Sequence, residues 1–395
     1  MNTQTLPTPR IRPILTTAAY YSAFITLGLT TGVIGPTLPS LAEHTGSRID
    51  EISIIFVASS FGYLLGSLLG GRAYDRLPGH RLVAAMLALI ALVLVLVPVV
   101  PLLWVLVVVM FFLGTFQGAM DVGCNSLLMW VHGAKVGPFM NGLHFFFGVG
   151  AFLSPVVVAQ VLQLSGNIHW AYWIFALIVL PNAVWLWSLP SPTVDTTPHP
   201  SGSSKAPRLL VSLLVLFFAV YVGAEVGFGN WIFTYTRTLN LADQTVAAYL
   251  NSAFWGSFTL GRLIGVGISV RFRPTSILYT DLIGCLASMG VILLWPASSV
   301  ALWIGVFGIG MFMASVFATM LAYAEQRMKL TGAITGWFLV GGGAGSMFLP
   351  WLIGQSFERI GPQSAMQIIT IDLVVNLLLL ILLTNIKPVN HARRV

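Results

Sequence analysis

The sequence predicts an all-α membrane protein of twelve transmembrane helices arranged as two pseudo-symmetric six-helix bundles. Three observations carry this expectation. Of 395 residues, 57% are hydrophobic and 8% charged, where a soluble chain carries about a quarter charged; mean hydropathy is +0.89. Apolar runs of about 20 residues, each enough to cross about 30 Å of hydrocarbon, recur from end to end. The chain also repeats itself at a fixed offset.

The runs lie at 14–39, 50–71, 80–98, 103–130, 138–162, 169–189, 209–235, 246–270, 275–295, 299–325, 331–355 and 364–386. They lack the polar/apolar alternation of barrel strands, which leaves helices as the spanning structure. The first run follows Arg10 and Arg12 but is longer than a signal-peptide core and no small-residue cleavage pattern follows promptly, so it reads as the first span. The interval 190–208, rich in Pro, Ser and Thr, reads as a flexible cytoplasmic linker. It divides the chain into an N-terminal bundle, 1–189, and a C-terminal bundle, 209–395.

The halves match at an offset of 195 residues. Gly66 and Gly70 of the second span correspond to Gly261 and Gly265 of the eighth, and Arg76 to Arg271. Gly148, Gly150 and Pro155 of the fifth correspond to Gly343, Gly345 and Pro350 of the eleventh. Small residues let membrane helices approach closely, which explains each glycine singly but not the shared register. Internal repeats with a binding site at their interface are the habit of transporter folds.

The net charge of +7 could suggest nucleic acid, but its distribution argues otherwise. With a cytoplasmic N-terminus, Arg10, Arg12, Arg72, Arg76, Arg81, Lys135, Lys205, Arg208, Arg271, Arg273, Arg327, Lys329, Lys387, Arg393 and Arg394 lie on the cytoplasmic side. Only Arg48, Arg237 and Arg359 fall outside, with Arg262 inside a span. This is the positive-inside rule, and it places both termini in the cytoplasm of a multi-pass protein of the cell (cytoplasmic) membrane. Cys124 and Cys285 fall within spans and read as small packing residues, with no disulfide or metal implied. No nucleophile–base pair, metal cluster or phosphate loop is present in the required context, so enzyme action is not expected.

Two carboxylates, Asp121 and Glu225, lie deep in apolar stretches. A charge there costs at least about 2.5–3.5 kcal/mol, so it needs a proton, an ion, a partner or a wet cavity. Gln117, Asp121 and Asn125 stand at i, i+4 and i+8, one polar stripe on the fourth span. In the seventh, Glu225 follows Tyr221 by one turn and precedes Asn230 and Trp231. Each half thus aims one acid at a shared centre, either to bind and release a proton or, with oxygen ligands nearby, to hold Na⁺. A static hydrogen bond, or neutralisation by Arg262, is the structural alternative. Arg262 and Asp281 sit at similar depth and are expected to form a structural pair, since a buried guanidinium needs an acceptor. Asp372 and Asn376 are expected near the outer surface.

Amides and aromatics gather where a polar solute would sit: Asn141 and His144 in the fifth span, Asn251 and Trp255 in the eighth, Tyr323 in the tenth and Trp337 in the eleventh. Sugars are held by such amide and carboxylate hydrogen bonds with an aromatic face against the ring. These residues, with Gln117, Tyr221, Asn230 and Trp231, form the expected substrate set; Asp121, Asn125 and Glu225 form the expected ion-coupling set.

The loop Gly71-Arg72-Ala73-Tyr74-Asp75-Arg76-Leu77-Pro78-Gly79-His80-Arg81 resembles the G-x-x-x-D-R-x-G-x-[RK] signature of the major facilitator superfamily, with one extra residue before Gly79. In such a loop Asp75, Arg76 and Arg81 are expected to latch one conformation by bonding to a neighbouring helix terminus. The stretches Gly118–Asn125, Asn141–Pro155, Tyr221–Gly227 and Leu260-Gly261-Arg262 are similar to the sodium-dependent glucose transporter-like proteins, relatives of the fucose permease sugar/proton symporters. The resemblance implies a secondary transporter moving a sugar-like solute by alternating access, coupled to H⁺ or Na⁺ without a bound cofactor, and working as a monomer. In fucose permeases an acid at the position of Asp121 takes part in proton coupling. The second acid, in the first span, has no counterpart in Thr30-Thr31-Gly32-Val33-Ile34-Gly35-Pro36, so Glu225 is the expected substitute. The alternative function is a proton-coupled exporter of amphiphilic, drug-like molecules, whose cavity should be mainly apolar.

Overall fold

The computed structural model describes residues 12–192, 208–328 and 330–386. Most of the expected linker, with Lys329 and both chain ends, lies outside the described residues. Twelve helical crossings follow one another: α1 (Pro13–Gly32 continuing as Ile34–His44), α2 (Ile49–Tyr74), α3 (Gly79–Val99), α4 (Leu103–His132), α5 (Val136–Ser165), α6 (His169–Ser188), α7 (Arg208–Thr238), α8 (Gln244–Ser269), α9 (Pro274–Leu294), α10 (Ser299–Arg327), α11 (Gly332–Arg359) and α12 (Gln363–Asn385). The start of α1, the end of α6, the start of α7 and the end of α12 share one face, here called the terminal face.

Ten of these are long and apolar enough to cross a membrane on their own, and α1, bent by 46° at its break, makes eleven. The exception is α8, which carries Asn251, Ser252, Ser257, Thr259 and Arg262. Its polar groups are met inside the protein. Asn251 Nδ2 donates to the Gly229 carbonyl at 2.5 Å, Ser257 to Phe254 at 3.0 Å and Thr259 to Trp255 at 2.8 Å. Hydrocarbon offers no such partners, so α8 lies packed between α5, α7 and α10.

The two halves of the chain, α1–α6 and α7–α12, form two sets of six helices whose most extensive contacts, α2 with α4 and α7 with α11, lie within a set, while α5–α8 and α2–α11 join the sets; the repeated glycines show why the register is kept. A Cβ on Gly66 in α2 would stand 1.9 Å from the Thr115 carbonyl oxygen of α4, and one on Gly261 in α8 would stand 2.6 Å from the Met311 carbonyl of α10. Gly150 of α5 meets Ile25 of α1 at 2.1 Å, and Gly345 of α11 meets Ala219 of α7 at 1.8 Å. Gly148 meets Thr259, and Gly343 meets Leu64, residues that are themselves 195 positions apart. Gly66, Gly150, Gly261 and Gly345 therefore admit the equivalent backbone in their own half, whereas Gly148 and Gly343 admit equivalent side chains from the opposite half. Gly66→Ala is expected to destabilise the protein by about 1–3 kcal/mol through overpacking, read as a lower melting temperature in detergent.

The two sets meet on the side away from the terminal face. There Gln355 of α11 donates to the Asp50 carbonyl of α2 at 2.7 Å, Ser346 to Ser60 at 3.3 Å, and Gln160 of α5 to Tyr249 of α8. Trp231 tilts against Phe56 at 6.1 Å and Trp255 against Phe147 at 6.3 Å. Gly35 in the outer part of α1 lies on the backbone of Gly229 and Asn230, and Gly354 lies on Ser53. Toward the terminal face the side-chain hydrogen bonds among the described residues stay within one set: Thr17 with His132 at 2.7 Å, Tyr21 with the Phe139 carbonyl at 3.0 Å, and Tyr323 with the Leu383 carbonyl at 2.9 Å. Among the described residues the two sets are thus joined on the side away from the terminal face.

Candidate substrate and ion site

The α2–α4 contact builds the first acid's surroundings. Gly62, Gly66 and Gly70 of α2 face Gly114, Gly118 and their neighbours in α4 so closely that no Cβ fits at any of the five. This approach lets Tyr63 of α2 reach Asp121, donating its hydroxyl to Oδ2. Asn125, one turn on, donates Nδ2 to Oδ1 and to the Asp121 carbonyl, both at 2.9 Å. The half-buried carboxyl of Asp121 thus has one donor on each oxygen. Such charge-assisted bonds are roughly twice as strong as neutral ones. Gln117, one turn before, is buried and donates to Thr30 Oγ1 of α1 at 2.8 Å, so it fastens α4 to α1.

Tyr63 was not legible beforehand. It lies 58 residues from Asp121, and the available signal was the glycine spacing around it. Tyr63→Phe leaves Oδ2 without its donor, a loss of about 1.5–3 kcal/mol. Cation-driven uptake is expected to weaken by roughly tenfold to 100-fold, measured as initial rate in vesicles at matched protein content.

In the second set, Glu225 is half-buried in α7. The Tyr221 hydroxyl lies beside it and donates to the Met313 carbonyl of α10 at 2.8 Å. Arg262 of α8 stacks over the Phe258 ring at 4.5 Å and acts electrostatically on Glu225 and His144. Arg262 therefore does not pair with Asp281, as expected from depth alone; among the described residues the single ion pair joins Arg48 and Asp50. Asp281 is buried and accepts instead from Ser315, at the break between Met313 and Val316 in α10. The restarting helix presents its N-terminal dipole at that point, which favours a nearby anion.

The remaining expected residues divide. His144 and Asn141 of α5 are exposed on the open side, and His144 meets Phe24 edge-on at 5.7 Å. Asn230 is nearly buried, bonding to the Val226 carbonyl at 2.9 Å, and Trp255 is buried among Phe147, Phe254 and Phe258. Trp231 and Asn251 are fully buried fasteners. Trp231 Nε1 donates to the Pro350 carbonyl at 3.0 Å, and Asn251 bonds to Gly229. Tyr323 points to α12, away from the gap between the sets, because its hydroxyl is used by Leu383. Trp337 is exposed on a stripe with Val340 and Phe348.

Asp75 and Arg76 are exposed and make no side-chain hydrogen bond among the described residues, and Arg81 rests 5.9 Å over the Trp187 ring. The latch contacts expected of this loop are not formed among the described residues. The same loop holds a residue that pattern reading passed over. His80 is fully buried, takes the Tyr20 hydroxyl of α1 at 2.6 Å, and meets the Leu189 carbonyl at 3.2 Å. Asp372 and Asn376, expected near the outer surface, lie close to the middle of α12. Cys124 and Cys285 are buried free thiols.

Residues 20–350 match the model of the Major Facilitator Superfamily. The chain belongs to this superfamily. It is 31% identical over 372 residues to sodium-dependent glucose transporter 1A of Mus musculus, covering 85% of this chain and 88% of the relative. It is 27% identical to major facilitator superfamily domain-containing protein 4A of Pongo abelii, covering 89% and 88%. Crystal structures of the nucleoside transporter NupG share the fold at TM-scores of 0.77 and 0.73, with 15% and 14% identity; the first covers 93% of this chain and 99% of that one. This major facilitator protein is a multi-pass membrane transporter and not an enzyme, akin to the sodium-dependent glucose transporters.

Proposed function

We propose that this transporter moves a sugar-like polar solute across the cytoplasmic membrane by symport with H⁺ or Na⁺, with both termini in the cytoplasm. The observation that carries the reading is the pair of half-exposed acids at mid-depth, Asp121 in the first set and Glu225 in the second, in a molecule closed on one side only. Asp121, held by Tyr63 and Asn125, is the coupling acid. Glu225, facing the fixed charge of Arg262, answers it from the other half. Half-exposed or exposed polar groups at His144, Asn141 and Asn125 supply hydrogen bonds for hydroxyl groups.

Transport follows by rocking of the bundles 1–189 and 209–395 about the shared centre. Opening the outer side separates α2 from α11 and α5 from α8. Closing the terminal side brings the loop of Asp75, Arg76 and Arg81 against the opposite set.

The reading is tested with purified protein in proteoliposomes, measuring uptake of labelled hexoses under imposed H⁺ or Na⁺ gradients. Accumulation driven by one of the two gradients is expected. Absence of gradient-driven flux for every hexose under both gradients overturns it.

A further inference from the structure

We infer that the outer surface carries a binding site for a first-row divalent transition metal such as Zn²⁺, formed by His44 at the outer end of α1 and His169 at the start of α6. It goes beyond the transport reading and uses none of its residues.

The two imidazoles stand with ring centroids 5.9 Å apart and planes at 89°. Two imidazoles on one tetrahedral zinc, with Zn–N bonds of about 2.0–2.1 Å, have ring centres roughly 5–6 Å apart. The ring of His169 is oriented in the way a ligand is. Its backbone N–H donates to Asn167 Oδ1 at 2.8 Å, which fixes that amide atom as the oxygen. The same oxygen faces His169 Nδ1, so Nδ1 carries the proton and donates. The lone pair is then on Nε2, free for a metal. This is the second-shell arrangement that fixes the tautomer of metal-binding histidines.

His44 is exposed, has no hydrogen-bond partner among the described residues, and can turn its ring to the same point. Two imidazoles with waters completing the shell suit Zn²⁺, Cu²⁺ or Ni²⁺ better than Ca²⁺ or Mg²⁺, which prefer oxygen. A metal here ties the outer segment Ile34–His44, which rests on α7 through Gly35, to the start of α6.

The test is thermal melting of the full-length protein in detergent, titrated with ZnCl₂ and reversed with EDTA. The wild type and Asn167→Asp, which keeps the acceptor, are expected to melt higher with Zn²⁺. His44→Gln and His169→Gln should require at least about tenfold more zinc for the same shift. Should His169→Gln lower the metal-free melting temperature, His44→Gln decides, because that side chain is exposed. No zinc-dependent shift in the wild type, or an undiminished shift in His44→Gln, overturns the site.

Discussion

Asp121→Asn is expected to abolish solute accumulation while leaving exchange intact. The substitution keeps size and hydrogen-bonding capacity. Tyr63 can still donate to the amide oxygen, and Asn125 can turn its own amide to accept from the new NH₂ group. What disappears is the ability to carry a proton or to neutralise a cation. A cotransported unit charge at 100 mV is worth about 2.3 kcal/mol, which sustains an accumulation ratio of roughly 50-fold for a neutral solute. That ratio should fall to one in Asp121→Asn, measured as the steady-state level in energised vesicles. Counterflow of labelled against unlabelled solute needs no net coupling and should persist. Accumulation equal to wild type removes Asp121 from the coupling step.

The second large effect is conformational. Gly354 of α11 rests against Ser53 of α2 on the closed side, where an added Cβ would stand 2.3 Å from Ser53 Cβ and 3.1 Å from the Trp231 ring. Gly354→Ala therefore penalises the closed side chiefly through Ser53, the one of these two neighbours that belongs to the opposite set. Overpacking of this kind costs about 1–3 kcal/mol, which shifts a two-state population by roughly 5–150-fold. Spin labels at Leu164 and Ile360, exposed at the outer ends of α5 and α11, should report a longer distance in the variant. An unchanged distance distribution would mean that this contact does not hold the outer side shut.

Much of this fold was legible because the membrane imposes long apolar helices, and length and hydropathy are properties of contiguous sequence. The repeat was legible for a related reason: Gly66 and Gly261, or Gly150 and Gly345, must remain glycine where backbones touch. Side-chain direction was not legible. Asp121 and Asn125 share a face of one helix, so their partnership could be read from spacing, whereas the Tyr63 hydroxyl arrives from another helix. Arg262 and Asp281 matched in depth, but depth says nothing about azimuth, and their side chains found Phe258 and Ser315 instead. The same ambiguity bears on Tyr323, whose hydroxyl goes to the Leu383 carbonyl, since an aromatic at midspan can point to a gap or to a neighbouring helix.

The polarity of α8 bears on how the protein is made. A segment carrying Arg262 and two amide-bearing or hydroxyl-bearing turns partitions poorly from the insertion machinery into lipid by itself, since an arginine alone costs about 2.5 kcal/mol or more at mid-helix. Its acceptors on α7 exist before it emerges, but its cover on α10 does not. Biogenesis should therefore stall at this segment until later helices arrive, and chains ending shortly after Ser269 should fail to integrate it.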